Sequence, residues 1–152
     1  MQRVPRIERA ATAVWEGSVA RGNGRLTAPS TAFVDLPFSL PSRTAAAVGT
    51  ETSPEELLAA AHAACFAMAL SSQLTRRDAP PQRLTVTATV ALDEVEGRNR
   101  IVGSSVEVRV EADALAEAEL ESAVADADAR CPFSALIRDA GGTVGVDARI
   151  GA

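Results

Sequence analysis

Residues Ser53–Thr75 read SPEELLAAAHAACFAMALSSQLT, and this stretch decides the fold. Ser53 is a good helix N-cap, Pro54 suits the first helical position, and Glu55 and Glu56 put acids in the first turn. The pattern predicts one long helix running to about Thr75. There RRDAPPQ stops it, because neither Pro80 nor Pro81 can continue a helix without losing a hydrogen bond. The helix is apolar nearly all round, with Leu57, Leu58, Ala59, Ala63, Phe66, Met68 and Leu70 distributed over every face. A helix without a polar face must be covered on all sides. A chain of 152 residues can hardly do this alone, so a second copy is expected to finish the cover and the predicted state is a homodimer.

Ahead of this helix, ATAVWEGSVAR (residues 11–21) carries β-branched residues, and RGNG supplies the glycines and asparagine of a hairpin turn. RLTAPSTAFVDLPFSL continues as extended chain, with Pro29, Pro37 and Pro41 confining it to edges or loops. PSRTAAAVGTET reads as an irregular crossing that ends at Ser53. After the helix, RLTVTATVALDEV and RIVGSSVEVRVEA alternate apolar and polar residues and are joined by EGRN, the pattern of a long antiparallel hairpin with one buried face. DALAEAELESAVADADAR predicts a helix with an acidic solvated face. Cys131 and Pro132 then open a short helix, PFSALIRDA, closed by Gly141 and Gly142, and TVGVDARI is a final strand. The order βββ, α, ββ, αα, β implies one α+β domain over residues 1–152, with a mainly antiparallel sheet wrapped around the long helix.

Composition narrows the function classes. All fifteen basic residues are Arg, set against twenty acidic residues for a net charge of −5, which argues against nucleic acid or an anionic membrane as the main partner. The N-terminal MQRVPRIERAATAVW has no apolar core of the kind a secretory signal needs, and no run of about 18 apolar residues suggests a membrane span. A cytoplasmic location follows as the expectation. In a reducing compartment, cysteines are more often reactive, metal-binding or buried than permanently paired. This chain has two, Cys65 in the middle of the long helix and Cys131 in DARCPFSALIRDAG.

Cys65 by itself reads first as a small apolar filler, and burial would raise its pKa and leave it inert. A cation or helix N-terminus nearby is needed to make a thiolate. His62 lies one turn earlier on the same face, Arg43 precedes the helix, and Cys131 sits at a predicted helix N-terminus. On chemistry alone either cysteine can be the nucleophile. His62 with Cys65, Cys131 and Glu55 suggests a rival, a transition-metal site, but the local spacing supplies only two ligands. The plainer expectation is no metal and no cofactor, with His62 a helix residue whose ring finds one hydrogen bond near the dimer interface.

SPEELLAAAHAACFAMALS, followed downstream by ARCPFSALI, resembles the OsmC/Ohr family of thiol-dependent hydroperoxide reductases. WEGSVARGNG and LPFSLPSRTAAAVGTETSPEEL resemble its OsmC branch more than its Ohr branch, and the likeness spans Val14 to Ile150. Ser53 stands where the family usually has Asn, another good helix cap. The resemblance implies a peroxidatic Cys65, a resolving Cys131, an arginine at Arg43 and a glutamate at Glu55, in an intertwined homodimer. Arg43 would stabilise the thiolate and offer donors to the peroxide oxygens, and Glu55 would orient the guanidinium. Ten helical residues put Glu55 about 15 Å from Cys65 along one straight helix. Glu55 is therefore expected to serve the thiol of the other subunit, or else to act through Arg43.

Under this reading the substrate is an organic hydroperoxide, and Phe66, Met68, Leu70, Phe133 and Leu136 are expected to give the thiol apolar walls, unless they are ordinary core. The electrons come from an external dithiol, a lipoylated protein or a small thiol. The non-enzymatic alternative is a redox-sensing or ligand-binding dimer that uses the same cysteine pair without turnover.

Overall fold

A small antiparallel sheet opens the chain, which this computed structural model describes over residues 6–45 and 49–151. β1 (Thr12–Glu16) pairs with β2 (Asn23–Thr27), and β2 with β3 (Leu36–Phe38), Leu26 lying opposite both Ala13 and Leu36. Pro37 sits in β3, the edge strand, where the missing N–H costs no ladder bond. The segment expected to cross irregularly instead contains a short helix, α1 (Leu40–Thr44). A capping box explains it: the Ser42 N–H donates to Ser39 Oγ at 3.3 Å, and the Ser39 N–H donates to Ser42 Oγ at 2.9 Å. Ser39 also donates to Glu51 Oε2 (2.6 Å) and Ser42 to the Thr52 carbonyl (2.7 Å), which fastens the following strand segment beside β3. Residues 46–48 of the predicted crossing lie outside the described residues. These elements belong to the first of two compact units, Met1–Pro54 and Glu55–Ala152.

The long helix, α2 (Pro54–Thr75), begins and ends where the sequence predicts. Its length and mean hydropathy of 1.5 would allow a membrane crossing, but its buried side is a protein core. His62, Phe66, Leu70, Gln73 and Leu74, at three- and four-residue spacing, face inward. Phe66, Leu70 and Leu74 share one core cluster with Val106, Val108 and Val110 of the long hairpin formed by β4 (Arg83–Val95) and β5 (Arg98–Glu111). Glu96 (φ 52°) and Gly97 (φ 77°) make its two-residue turn, a geometry that needs positive φ at both positions. α3 (Glu117–Arg130) adds Leu120, Ala123 and Ala127 to the same core and exposes Glu117, Glu119, Glu121 and Asp126 as expected, whereas Asp128 is partly buried and bonded to Arg138. α4 (Pro132–Asp139) follows at once, with Cys131 as the joint between the two helices.

The final strand, β6 (Thr143–Ile150), lies parallel to β5, Val106 opposite Val146. The single wrapped sheet expected from the sequence is thus replaced by two three-stranded sheets, one in each unit, and the second is mixed. The reason is the connection: α3 and α4 carry the chain back along the sheet, and such a crossover returns a strand in parallel. The α+β class stands.

Candidate active site

Helix periodicity sets Cys65 at the margin of the buried face of α2, one residue before Phe66, so the thiol is half-buried while Phe66 is fully enclosed. Cys131, 1% exposed, comes to it from the N-terminus of α4. Both are free thiols, and they are near enough for Cys131 to act on the Cys65 thiol. The main-chain N–H of Phe133, one of the amides that a helix start leaves without an internal partner, is near enough to favour the Cys65 thiolate. Burial, then the neighbouring Cys131, push the Cys65 thiol up from 9.0 to about 11, and the Phe133 amide pulls the other way. As it stands the pair is a protonated thiol beside a second thiol, and a further positive charge is needed to ionise it near neutral pH.

His62 is fully buried one turn before Cys65. Its ring makes two hydrogen bonds rather than the single one expected: Nδ1 with Ser104 Oγ at 2.8 Å and Nε2 with Ser134 Oγ at 2.9 Å. Burial lowers its pKa, Asp128 opposes and Arg138 assists, so the ring is neutral and serves one serine as donor and the other as acceptor. Both nitrogens being engaged, His62 is neither the base for Cys65 nor a metal ligand in this arrangement. Among the described residues, no group of three or more His, Cys, Asp or Glu side chains is arranged to hold a metal ion.

The sequence reading missed Ser104 and Ser134. Their signal was present. Ser104 occupies the inward register of Val106, Val108 and Val110, and Ser134 lies one turn before buried Ile137, so each is a hydroxyl on a core-facing position. The predicted apolar walls need correction too. Phe66 and Leu70 are 0% exposed and belong to the core, Phe133 packs against that core, and Met68 and Leu136 are exposed at 69% and 56%. The face that 3.6-residue periodicity buries against β5 is not available to line an open site.

Arg43 lies in the first unit, exposed on α1. It borders an open depression of about 360 Å³ lined by Trp15, Val19, Phe38, Ser39, Leu40 and Pro54. Trp15 and Phe38 form its aromatic side, their ring centroids 5.7 Å apart. Glu55 begins α2, and because that helix is continuous, Glu55 and Cys65 of one chain stand about 15 Å apart along its axis.

Residues 47–145 match the family model described as OsmC-like protein. The chain belongs to the OsmC-like family. The matched span includes Glu55, Cys65 and Cys131, whereas Arg43 precedes it. Peroxiredoxin OsmC of Escherichia coli (strain K12) is 33% identical over 132 residues, 87% of this chain and 91% of that protein. The organic hydroperoxide resistance protein of Xanthomonas axonopodis pv. citri (strain 306) is 31% identical over 106 residues, 69% of this chain and 72% of that one. Among solved structures, the organic hydroperoxide resistance protein OhrB of Bacillus subtilis superimposes with a TM-score of 0.65 at 27% identity, covering 93% of this chain and 98% of its own. The OsmC-like fold therefore runs beyond the matched span into both units.

Proposed function

We propose that this OsmC-like protein is a thiol-dependent peroxidase that reduces organic hydroperoxides. The observation that carries the reading is the contact of Cys65 with Cys131 at the start of α4. Two neighbouring free thiols, one of them half open to solvent, suit a two-step oxidation. The Cys65 thiolate attacks the distal peroxide oxygen, the O–O bond breaks, and the products are Cys65 sulfenic acid and an alcohol. The Cys131 thiol then condenses with the sulfenic acid, forming a disulfide and releasing water. An external dithiol, such as dihydrolipoamide on a lipoylated protein, reduces the disulfide by exchange. The names of the E. coli and Xanthomonas relatives support the same class of activity.

A thiol pushed up to about 11 needs a cation to react at neutral pH, and Arg43 is assigned that role. Its guanidinium also offers donors to the peroxide as charge develops on the leaving oxygen. Glu55 is assigned the orientation of Arg43 in the partner subunit, which resolves its distance from Cys65 along α2. The name of the Xanthomonas relative supports an organic hydroperoxide as the substrate class. The proposed location is the cytoplasm, where thiol reductants are at hand.

The test is consumption of cumene hydroperoxide with excess dithiothreitol or dihydrolipoamide. Many turnovers per protein are expected, abolished by Cys65→Ser and reduced at least ~10-fold by Arg43→Ala, the loss of one charged donor to the transition state. Consumption that stops at one equivalent identifies a redox sensor instead.

A further inference from the structure

We propose that His62 is a positioning residue for the thiol pair: its Nε2–Ser134 bond holds the first turn of α4 in place against Cys65. The inference rests on the peroxidase reading above and adds a residue to it. The geometry is local. His62 and Cys65 are one turn apart on α2, and Cys131, Phe133 and Ser134 occupy the cap and first turn of α4. Two adjacent cross-links therefore join the same two short stretches of helix, a thiol contact that must change during each reaction cycle and a His–Ser bond that need not.

The second bond fixes the ring. Ser104, on β5, engages Nδ1 at 2.8 Å, and the Phe66 ring lies edge-on to the imidazole at 6.5 Å between centroids. The imidazole is thus held from the sheet and from its own helix, and it presents Nε2 to α4. A residue placed only to fill this space would be apolar. A buried imidazole is costly unless both nitrogens are satisfied, and here both are, by hydroxyls from two other elements.

The bond matters most after the first chemical step. Cys65 sulfenic acid has two fates. It condenses with Cys131 to give the disulfide and water, or it attacks a second hydroperoxide to give Cys65 sulfinic acid and an alcohol. Disulfide formation requires the two Cα atoms within a narrow window of separation, so a loosened α4 disfavours the first fate and leaves the second untouched. The same loosening withdraws the Phe133 amide from the Cys65 sulfur.

A pair of isosteres separates the two bonds of the ring. Asn brings its amide close to the place of Nδ1 and keeps a partner for Ser104, whereas Gln reaches the place of Nε2 and keeps a partner for Ser134. The full-length proteins are treated with rising cumene hydroperoxide, and the ratio of Cys65 sulfinic acid to Cys65–Cys131 disulfide is read by peptide mass spectrometry. His62→Asn is expected to raise the ratio about fivefold or more, the factor carried by a single buried hydrogen bond. His62→Gln is expected to stay within about twofold of the unsubstituted protein. Val110→Ala, a core change far along β5 from Ser104, is expected to lower thermal stability without moving the ratio. Equal ratios for the two His62 variants, whether normal or raised, overturn the proposal, as does a rise in Val110→Ala that matches its loss of stability. Formation of neither Cys65 product in the unsubstituted protein overturns the peroxidase reading itself, and the proposal with it.

Discussion

His62 carries a pH dependence whose sign can be worked out. Its folded pKa is lowered by burial, partly offset by the Asp128 carboxylate and reinforced by the Arg138 guanidinium, while the unfolded chain takes up its proton near 6.5. The depressed group contributes stability above that value and loses it as the pH falls towards the folded pKa. Urea unfolding at a series of pH values between about 7 and 5 is expected to show a steeper acid loss in the native protein than in His62→Gln, which has no group titrating there. Parallel curves would contradict the assignment. Cys65 shifts the opposite way from its reference, up from 9.0 to about 11, and so titrates in an alkaline window that does not overlap that of His62. At this scale the sequence was informative about the cysteines, which are scarce and chemically distinct. For Ser104 and Ser134 it offered only a position, the inward register of β5 and the turn before Ile137, and said nothing of the buried ring that each meets there.

At the scale of elements, the first sheet depends on a close approach. Gly24, buried in β2, lies beneath the ring of Phe38, and a Cβ there would collide with three of the ring atoms. Gly24→Ala is therefore expected to cost about 1–3 kcal/mol through forced displacement of Phe38. Because Trp15 pairs with Gly24 across β1 and β2 and touches Phe38, its fluorescence should report the change. An unchanged emission spectrum and unfolding midpoint would refute this packing argument. The long helix and the long hairpin were legible because each repeats its pattern many times, with period 3.6 in α2 and period 2 in β4 and β5. α1 was not: its cap is built from two serines three residues apart, a signal hidden among prolines. The parallel seat of β6 was equally hidden, since strand direction follows from how α3 and α4 return the chain and not from the composition of TVGVDARI.

At the scale of the molecule, the expected second copy is assigned to exposed apolar residues that each unit presents by itself. Glu56, Ala60, Ala64, Met68 and Ser72 form an exposed stripe on α2 at four-residue spacing, and Val14, Val19 and Val34 are exposed by more than half. Light scattering at micromolar concentration is expected to give twice the 15.7 kDa chain mass, and Met68→Glu is expected to shift it towards a monomer. A monomer mass for the unsubstituted protein would remove the partner that Glu55 is assigned to serve. A second copy was expected from the all-round apolar helix, and the intertwined assembly and the pairing of the two cysteines from the family resemblance, but the nearness of the two thiols arises only when α4 brings its first turn to α2. That nearness is most directly tested by a single-turnover reaction. One equivalent of cumene hydroperoxide, followed by alkylation of the remaining thiols and peptide mapping, should yield one equivalent of alcohol and a Cys65–Cys131 disulfide, and Cys131→Ser should stop at oxidised Cys65. Two alkylated cysteines beside unconsumed hydroperoxide, or oxidation that begins at Cys131, would contradict the account.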